Sequence, residues 1–384
     1  MKIAYLHNLP LEYYPPATNT LDLLGGAKQL EVRVYTSQNL KKRKVYNNRA
    51  LKIFRCKSPD SNGHPVSRLA TALWWHVRTA WSLVLFKPDA VMYVEPHSAL
   101  AAYLYFRFLF GKARLFIHHH EYYEPGDYLR PGMRLPRLGS RLESSFLFPR
   151  ATWISQTNAD RLRLIKARHP EIPDTVWQLL PNYPPAVWLQ RIKSKSREQN
   201  SGPLRLIYVG SASFHDTYIE EIVRWAARHQ GLVELHLCGY NVAENVWSWL
   251  EAEQFANVTF DATGYAYDAL PDIVDGFDVG LVLYKGNTTN FVYNVPNKVF
   301  EYLVCGLEVW YPREMTGMRH FQMETPARLR ELDFSDLSRL NPEVLRVERS
   351  GSPEMARYCA DEALAPLFGQ LGLNYNRIYA DNAE

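Results

Sequence analysis

Short β-branched and apolar runs alternate along most of this chain with longer stretches of helical periodicity, the pattern of βαβ units assembled into parallel sheets. Lys2–His7 predicts a first strand. A loop rich in Pro and Tyr follows, then a helix containing Thr20–Leu30 and a strand at Glu31–Thr36. Further strands are predicted at Ala90–Val94, Ala113–His118 and Ala151–Ser155, the last leading into a helix over Asn158–Ala167. Residues 191–203 turn polar and charged, a linker composition. The alternation then restarts, with strands at Leu204–Val209, Val233–Cys238, Val258–Phe260 and Asp278–Leu283. Helices are predicted over Tyr218–His229, Val246–Gln254, Ala269–Gly276 and Asn297–Cys305, the last stopped by Gly306, a residue suited to a helix C-cap. The expectation is an α/β chain of two Rossmann-like domains, 1–190 and 204–350, joined by the 191–203 linker. A tail at 351–384, helical over Ser352–Phe368, is expected to pack back towards the first domain.

Length agrees with two domains, since 384 residues exceed one compact core of ordinary size. The net charge of +4 hides an asymmetry: residues 1–197 carry 30 Lys and Arg against 13 Asp and Glu, a surplus of +17, and the remainder carries −13. Two halves so different are expected to meet different partners. The run Lys41–Lys44 is basic, but no nucleic-acid module accompanies it, so a loop near an anionic surface is expected and nucleic acid is not. Cys56, Cys238, Cys305 and Cys359 are far apart with no CxxC pair, which reads as reduced cysteines and suggests neither a disulfide framework nor a zinc site. Leu69–Phe86 and Ala99–Phe110 are the most apolar stretches. His76 and Arg78 interrupt one and Arg107 the other, so both predict buried or interfacial helices and not membrane spans. Met1–Leu6 enters a strand directly, without the apolar length of a leader, so a cytoplasmic, soluble or peripheral protein is expected.

In doubly wound sheets ligands lie beyond the carboxyl ends of the strands, so the polar residues after each strand are the first candidates. Gly210-Ser211-Ala212-Ser213 follows a strand and precedes a helix; it is either a phosphate-holding turn or a plain one. In Tyr293–Leu307, Pro296 and Asn297 suit a helix start whose unpaired N–H groups could hold a diphosphate. Glu301 lies one turn further on the same face, where a carboxylate can accept two bonds from a ribose diol; the bland reading is a surface acid favoured by the helix dipole. His118-His119-His120-Glu121 ends another strand. Adjacent residues cannot all face one way, so one or two of these histidines point at a cleft, and a metal site is the rival reading. Asp268, Asp272, Asp275 and Asp278 recur at helical spacing and are read as a solvated face.

The segment Pro296-Asn297-Lys298-x-x-Glu301-Tyr302-x-x-x-Gly306 resembles the donor-binding signature of the retaining GT-B glycosyltransferases of family 4, often called group 1. Phe260–Tyr284, with Gly264-Tyr265, and the order Pro88-Asp89, Glu95-Pro96-His97, Phe116–Glu121 also follow that family. The resemblance implies a GT-B architecture of two Rossmann-like domains facing across a cleft. It implies a UDP- or GDP-sugar donor, no metal or other cofactor, and retaining hexosyl transfer to a glycan or lipid-linked acceptor of a bacterial envelope. By the same resemblance Glu301 binds the ribose and Asn294, Pro296, Asn297 and Lys298 surround the diphosphate. Gly210, Ser211 and Ser213 lie beside it, and Gly264 and Tyr265 line the base pocket. His120 aligns with the family's strand-end histidine, with His118 and Glu121 as its companions.

Departures from the family pattern are clear. Tyr293 stands where many members have a second acid, the Arg…Lys pair that neutralises diphosphate is absent, and Glu308-Val309 replaces the usual Pro-Val. Lys298, Lys285 or a basic residue of the first domain is expected to supply that charge. A sugar-nucleotide epimerase and a non-catalytic sugar-binding protein are the alternatives. On the acceptor or membrane side, Arg137 and Arg141 are expected as helical neighbours one turn apart, Pro131 and Pro136 interrupting the earlier Arg130 and Arg134. With the apolar residues around them they suggest contact with an anionic membrane surface.

Overall fold

The computed structural model describes residues 1–38, 44–59, 63–193, 202–239, 241–345 and 353–373. Lys41–Arg43 of the basic run and most of the expected linker, 194–201, lie outside the described residues. The chain divides into two compact units: Met1–Asn182 with the segment from Ala360 onward, and Tyr183–Cys359.

The first unit contains strands β1 (Lys2–His7), β2 (Glu31–Ser37), β3 (Lys52–Cys56), β4 (Ala90–Val94), β5 (Arg114–His119), β6 (Trp153–Gln156) and β7 (Trp177–Leu179). Its helices are α1 (Pro15–Gly26), α2 (Pro65–Phe86), α3 (Pro96–Phe108), α4 (Arg134–Leu142) and α5 (Ala159–Ala167). All strand pairs are parallel, in the order β3-β2-β1-β4-β5-β6-β7. Both sheet faces are covered, which is why the strands read as unbroken apolar runs. Ile3, Tyr5, Val32, Val34 and Met92 face one core, and Ala4, Leu6, Val91, Tyr93 and Ile117 face the other beneath α2 and α3. Pro136 lies in the first turn of α4, where a missing N–H costs nothing, so the helix starts at Arg134 and Arg134 joins Arg137 and Arg141 on it. Gly139 lets α4 cross the start of α3: a Cβ there would stand 2.0 Å from the Pro96 carbonyl oxygen.

The second unit starts at Tyr183, 21 residues before the expected domain start at 204, and opens with α6 (Val187–Lys193), because Trp188 is buried against Tyr267 and Leu270. Its strands are β8 (Leu204–Val209), β9 (Val233–Cys238), β10 (Val258–Asp261), β11 (Val279–Leu281), β12 (Glu308–Pro312) and β13 (Leu329–Leu332). They form a parallel sheet in the order β10-β9-β8-β11-β12-β13. Its helices are α7 (Ile219–Arg228), α8 (Glu244–Glu253), α9 (Leu270–Ile273), α10 (Thr289–Val292), α11 (Asn297–Val304) and α12 (Arg319–Glu324). Gly280 in β11 has no side chain to collide with the Tyr302 ring of α11, which would sit 2.2 Å from an added Cβ. The tail helix α13 (Ala360–Gln370) belongs to the first unit, where Leu364, Leu367 and Phe368 share a core with α1 and β1.

Several local expectations change. Residues 267–276 form two 3-10 turns around the short α9 in place of one helix. Asp278 is not part of a solvated face: it is buried and its carboxylate accepts the Arg205 N–H at 2.8 Å. The tail is 3-10 over Pro353–Tyr358 and α-helical only from Ala360.

Candidate functional site

In each sheet the chain order reverses between two adjacent strands, β1/β4 in the first unit and β8/β11 in the second, and the carboxyl ends there open the crevice that binds ligands in such sheets.

In the first unit this edge gathers His7 from β1, Glu95 just after β4, and His118–His120 at the end of β5. The three consecutive histidines separate by direction. His119 points to the opposite side, bonded through Nε2 to Glu143 Oε1 at 3.0 Å, a carboxylate that also accepts the Tyr93 hydroxyl. Burial opposes charge on His119, but Glu143 outweighs it and the imidazole pKa is raised. His118 and His120 share the other side, their rings 4.5 Å apart and perpendicular. Ser155 donates to the Ile117 carbonyl, so its Oγ accepts from His118 Nδ1 at 2.9 Å. His118 Nε2 then accepts from His120 Nδ1, 3.2 Å away, a proton shared with Asn182 Oδ1 at 3.1 Å. The network assigns His120 Nε2 a lone pair, and that atom is buried without a partner.

His7 repeats the arrangement. Its Nδ1 donates to the Leu9 carbonyl at 2.6 Å and its buried Nε2 has no partner. The Tyr14 ring lies between the two, edge-on to His7 at 4.7 Å and stacked on His120 at 6.2 Å. Burial holds both imidazoles neutral, lowering His7 to about 4 and His120 to about 3; a charge on His7 would also repel one on His120, and His97 opposes charge on His7. Glu95 completes the edge. Its Oε1 accepts the backbone N–H groups of His120 at 2.6 Å and Glu121 at 2.9 Å, while Oε2 is buried without a partner. Burial pushes the Glu95 carboxyl up to about 7. Its φ of +65° is a left-handed backbone rare for a non-glycine residue, and such strain collects at functional positions. Glu121 turns outward to Arg161 at 3.4 Å, and Arg161 also holds the His120 carbonyl at 2.7 Å. The edge therefore presents two neutral imidazole lone pairs and a carboxyl oxygen, groups able to accept hydroxyl hydrogens or take a proton. Among the described residues no three His, Cys, Asp or Glu side chains are placed to hold a metal ion.

In the second unit, Pro296 is the N-cap of α11 and the first helical N–H groups have no acceptor inside the helix. Glu301 is not a surface acid. It is fully buried, its carboxylate accepting from Asn297 Nδ2 and from Lys298 Nζ at 2.6 Å. A carboxylate has about four acceptor sites, so two remain once these are filled. Tyr302, next on α11, accepts the Val209 N–H at the end of β8 and so seats the helix start beside that strand. Cys238 and Asp261 are register partners at the ends of β9 and β10, next to Gly264-Tyr265; burial and Asp261 raise the Cys238 thiol to about 12, opposed by the Tyr265 backbone and the Lys298 charge. Gly264 has φ +65°, and the Tyr265 hydroxyl lies 3.0 Å from His236 Nε2.

The turn after β8 is arranged differently from its expectation. Ser213 uses its hydroxyl on Asp216 and Thr217 uses its own on Ser213, while α7 starts only at Ile219. Gly210 and Ser211 thus precede a loop and not a helix N-terminus. Lys285 is engaged by Glu221 at 3.0 Å and by the Phe214 carbonyl, which leaves Lys298 as the cation nearest Glu301. Glu308, in the place of the usual proline, is a buried partner of Arg330 and the Trp310 indole. Asn294 lies in the turn entering α11, its N–H bonded to the Phe291 carbonyl. Arg137 and Arg141 are exposed on α4.

His7, Tyr14, Glu95 and Asn182 were not singled out by sequence reasoning. The strand-end rule could have found His7 and Glu95, which directly end or follow β1 and β4. Tyr14 and Asn182 carry no such signal, because only the folded loops bring them to His120.

No protein-family model and no curated protein matches the chain. Solved structures do. A sucrose-phosphate synthase from Thermosynechococcus elongatus aligns with a TM-score of 0.64 at 13% identity, over 99% of this chain and 99% of that one. The apo lipopolysaccharide outer core galactosyltransferase WaaB aligns at 0.62 and 13% identity, over 97% and 99%. HepE from Anabaena, in a complex with UDP and glucose, aligns at 0.62 and 11% identity, over 100% and 98%. A UDP-GlcNAc 2-epimerase from Methanocaldococcus jannaschii is also similar, with a TM-score of 0.57. The two parallel-sheet Rossmann-like units of this chain are those of the GT-B fold.

Proposed function

We propose that this protein transfers a hexose from a UDP- or GDP-sugar to a hydroxyl of a glycan or lipid-linked acceptor in bacterial envelope polysaccharide synthesis, with retention and without a metal. The observation that carries the reading is Glu301, a fully buried carboxylate one turn into a helix whose N-terminus has no side-chain cap, at the switch point of a Rossmann-like sheet. The glycosyltransferase neighbours, and the HepE complexes with UDP and with UDP-glucose, support the same donor class.

In this reading the ribose diol bonds Glu301 after Lys298 swings from it to the diphosphate, and the start of α11 holds the phosphates. Gly264-Tyr265 borders the base. The acceptor oxygen bonds to the anomeric carbon as the bond from that carbon to the diphosphate breaks, on the same face, and the acceptor proton leaves with the phosphate oxygen. Dipoles and cations already aimed at the departing charge supply most of the acceleration. His120 Nε2, with His7 beside it, accepts a hydroxyl of the reacting sugar. Arg137 and Arg141 place the first unit at an anionic membrane, where a lipid-linked acceptor resides.

The test is a panel of UDP- and GDP-sugars followed by NMR. Release of nucleotide with free sugar supports a transferase. An epimerised sugar nucleotide establishes the epimerase reading instead, and no change in any donor leaves a binding protein.

A further inference from the structure

Helix α2 has 22 residues and is about 33 Å long at the α-helical rise. One face, with Trp75, Ala80, Leu83 and Phe86, is buried in the core under the sheet. The opposite face is apolar as well. Leu69, Leu73, Val77, Trp81 and Leu85 recur every four residues or so with Trp74 alongside, and all are exposed. Trp74 is 61% exposed, Trp81 59% and Leu85 69%, values that a solvated helix of a monomer does not sustain along its whole length.

The charges carried by the three helices here have one sign. Arg68 and Arg78 are exposed on α2, and α2, α3 and α4 together contain no Asp or Glu. Helix α3 packs against both neighbours and ends in exposed Arg107 and Phe108; α4 adds Arg137 and Arg141. Among the described residues no helix is long and apolar enough to cross a membrane, and His76 with two arginines keeps α2 from doing so. An apolar stripe with tryptophans, flanked by arginines and free of acids, matches the boundary between lipid headgroups and acyl chains.

We propose that the exposed face of α2, continued by the end of α3 and by α4, lies flat on an anionic lipid bilayer with Trp74 and Trp81 at headgroup depth. The proposal deepens the membrane reading above by naming its surface, and it does not depend on the donor site. A second copy of the chain is a poorer occupant: a two-fold contact sets each residue near its own copy, and the acid-free face would bring Arg78 and Arg68 against like charges.

The test is co-sedimentation of the full chain with phosphatidylcholine vesicles, with and without phosphatidylglycerol, at low and high salt. Wild type should bind only the anionic vesicles, and less at high salt. The double variant W74S/W81S should lose at least tenfold in vesicle partitioning with an unchanged melting temperature, since both side chains are exposed. The charge reversal R137E/R141E should also weaken binding. Wild-type binding that W74S/W81S retains would refute the α2 surface and leave the membrane reading standing. No binding by wild type to anionic vesicles at low salt would sink both. A concentration-dependent dimer in light scattering that W74S/W81S abolishes, without vesicle binding, would assign the face to a second copy and overturn the proposal.

Discussion

Replacing Glu301 with glutamine tests the donor assignment at its centre. The carboxylate is fully buried, with Asn297 Nδ2 on one oxygen and Lys298 Nζ at 2.6 Å on the other. In the proposed complex its remaining acceptor sites take two ribose hydroxyls. Glutamine keeps the shape but removes the charge and turns one acceptor oxygen into a donor. Losing a charge-assisted contact of this kind costs about 1.5–3 kcal/mol, which is about a ten- to hundredfold loss of nucleotide affinity. The fold should suffer less. Lys298 is 22% exposed and its ammonium can turn to water, so a stability loss of about 1 kcal/mol is expected. Calorimetric titration with UDP, GDP and their hexose conjugates measures the first effect and thermal unfolding the second. If a nucleotide binds wild type and E301Q within twofold of each other, Glu301 does not contact the ribose and the reasoning from its position on α11 is wrong.

Three further outcomes are expected. His120→Ala should lower turnover about a hundredfold or more while donor affinity changes less than threefold, because in the proposed reaction its unpartnered Nε2 serves the reacting sugar and not the nucleotide; wild-type turnover in steady-state kinetics would remove that role. Glu95→Gln should raise the melting temperature at pH 8 and leave it unchanged at pH 4. Burial lifts this carboxyl from 4.5 to about 7, so the native state holds a proton that the unfolded chain releases, and the wild type loses stability as pH rises from 4.5 through 7, by about 3 kcal/mol at the upper end. A pH-independent difference between the two proteins in thermal unfolding would show that Glu95 does not titrate there. Gly280→Ala should destabilise by about 1–3 kcal/mol in denaturant unfolding, since its Cβ would stand 2.2 Å from the Tyr302 ring; a variant as stable as wild type would show that α11 can shift freely on β11.

Much of the architecture could be read directly from periodicity. Buried parallel strands must be apolar on both faces and the covering helices on one, so β1, β4, β8 and β9 were delimited to the residue. The edge strands β3 and β7 and the late strands β12 and β13 were not anticipated. Lys52–Cys56 is half exposed and mixes Lys and Arg with Phe, and Glu308 opens β12 only because Arg330 and Trp310 absorb its charge. The second unit's early start was also hidden: Trp188 falls within the expected first domain, 1–190, and only the packing of Tyr267 and Leu270 on it assigns it to the second unit.

At the site, local spacing determined what a single element can carry. Pro296, Asn297 and Glu301 stand one turn apart on a helix, and the strand-end position of His118–His120 follows from chain order alone. Direction and protonation were decided by tertiary structure, because they depend on residues distant in sequence. Glu143 claims His119, Ser155 and Asn182 fix the tautomers of His118 and His120, and Tyr14 joins His120 to His7. The same holds for α2. Its sequence is apolar nearly all round, which suits a buried helix and an interfacial one equally. Only the three-dimensional packing, which covers Trp75 and leaves Trp74 and Trp81 in the open, decides which face has no partner among the described residues.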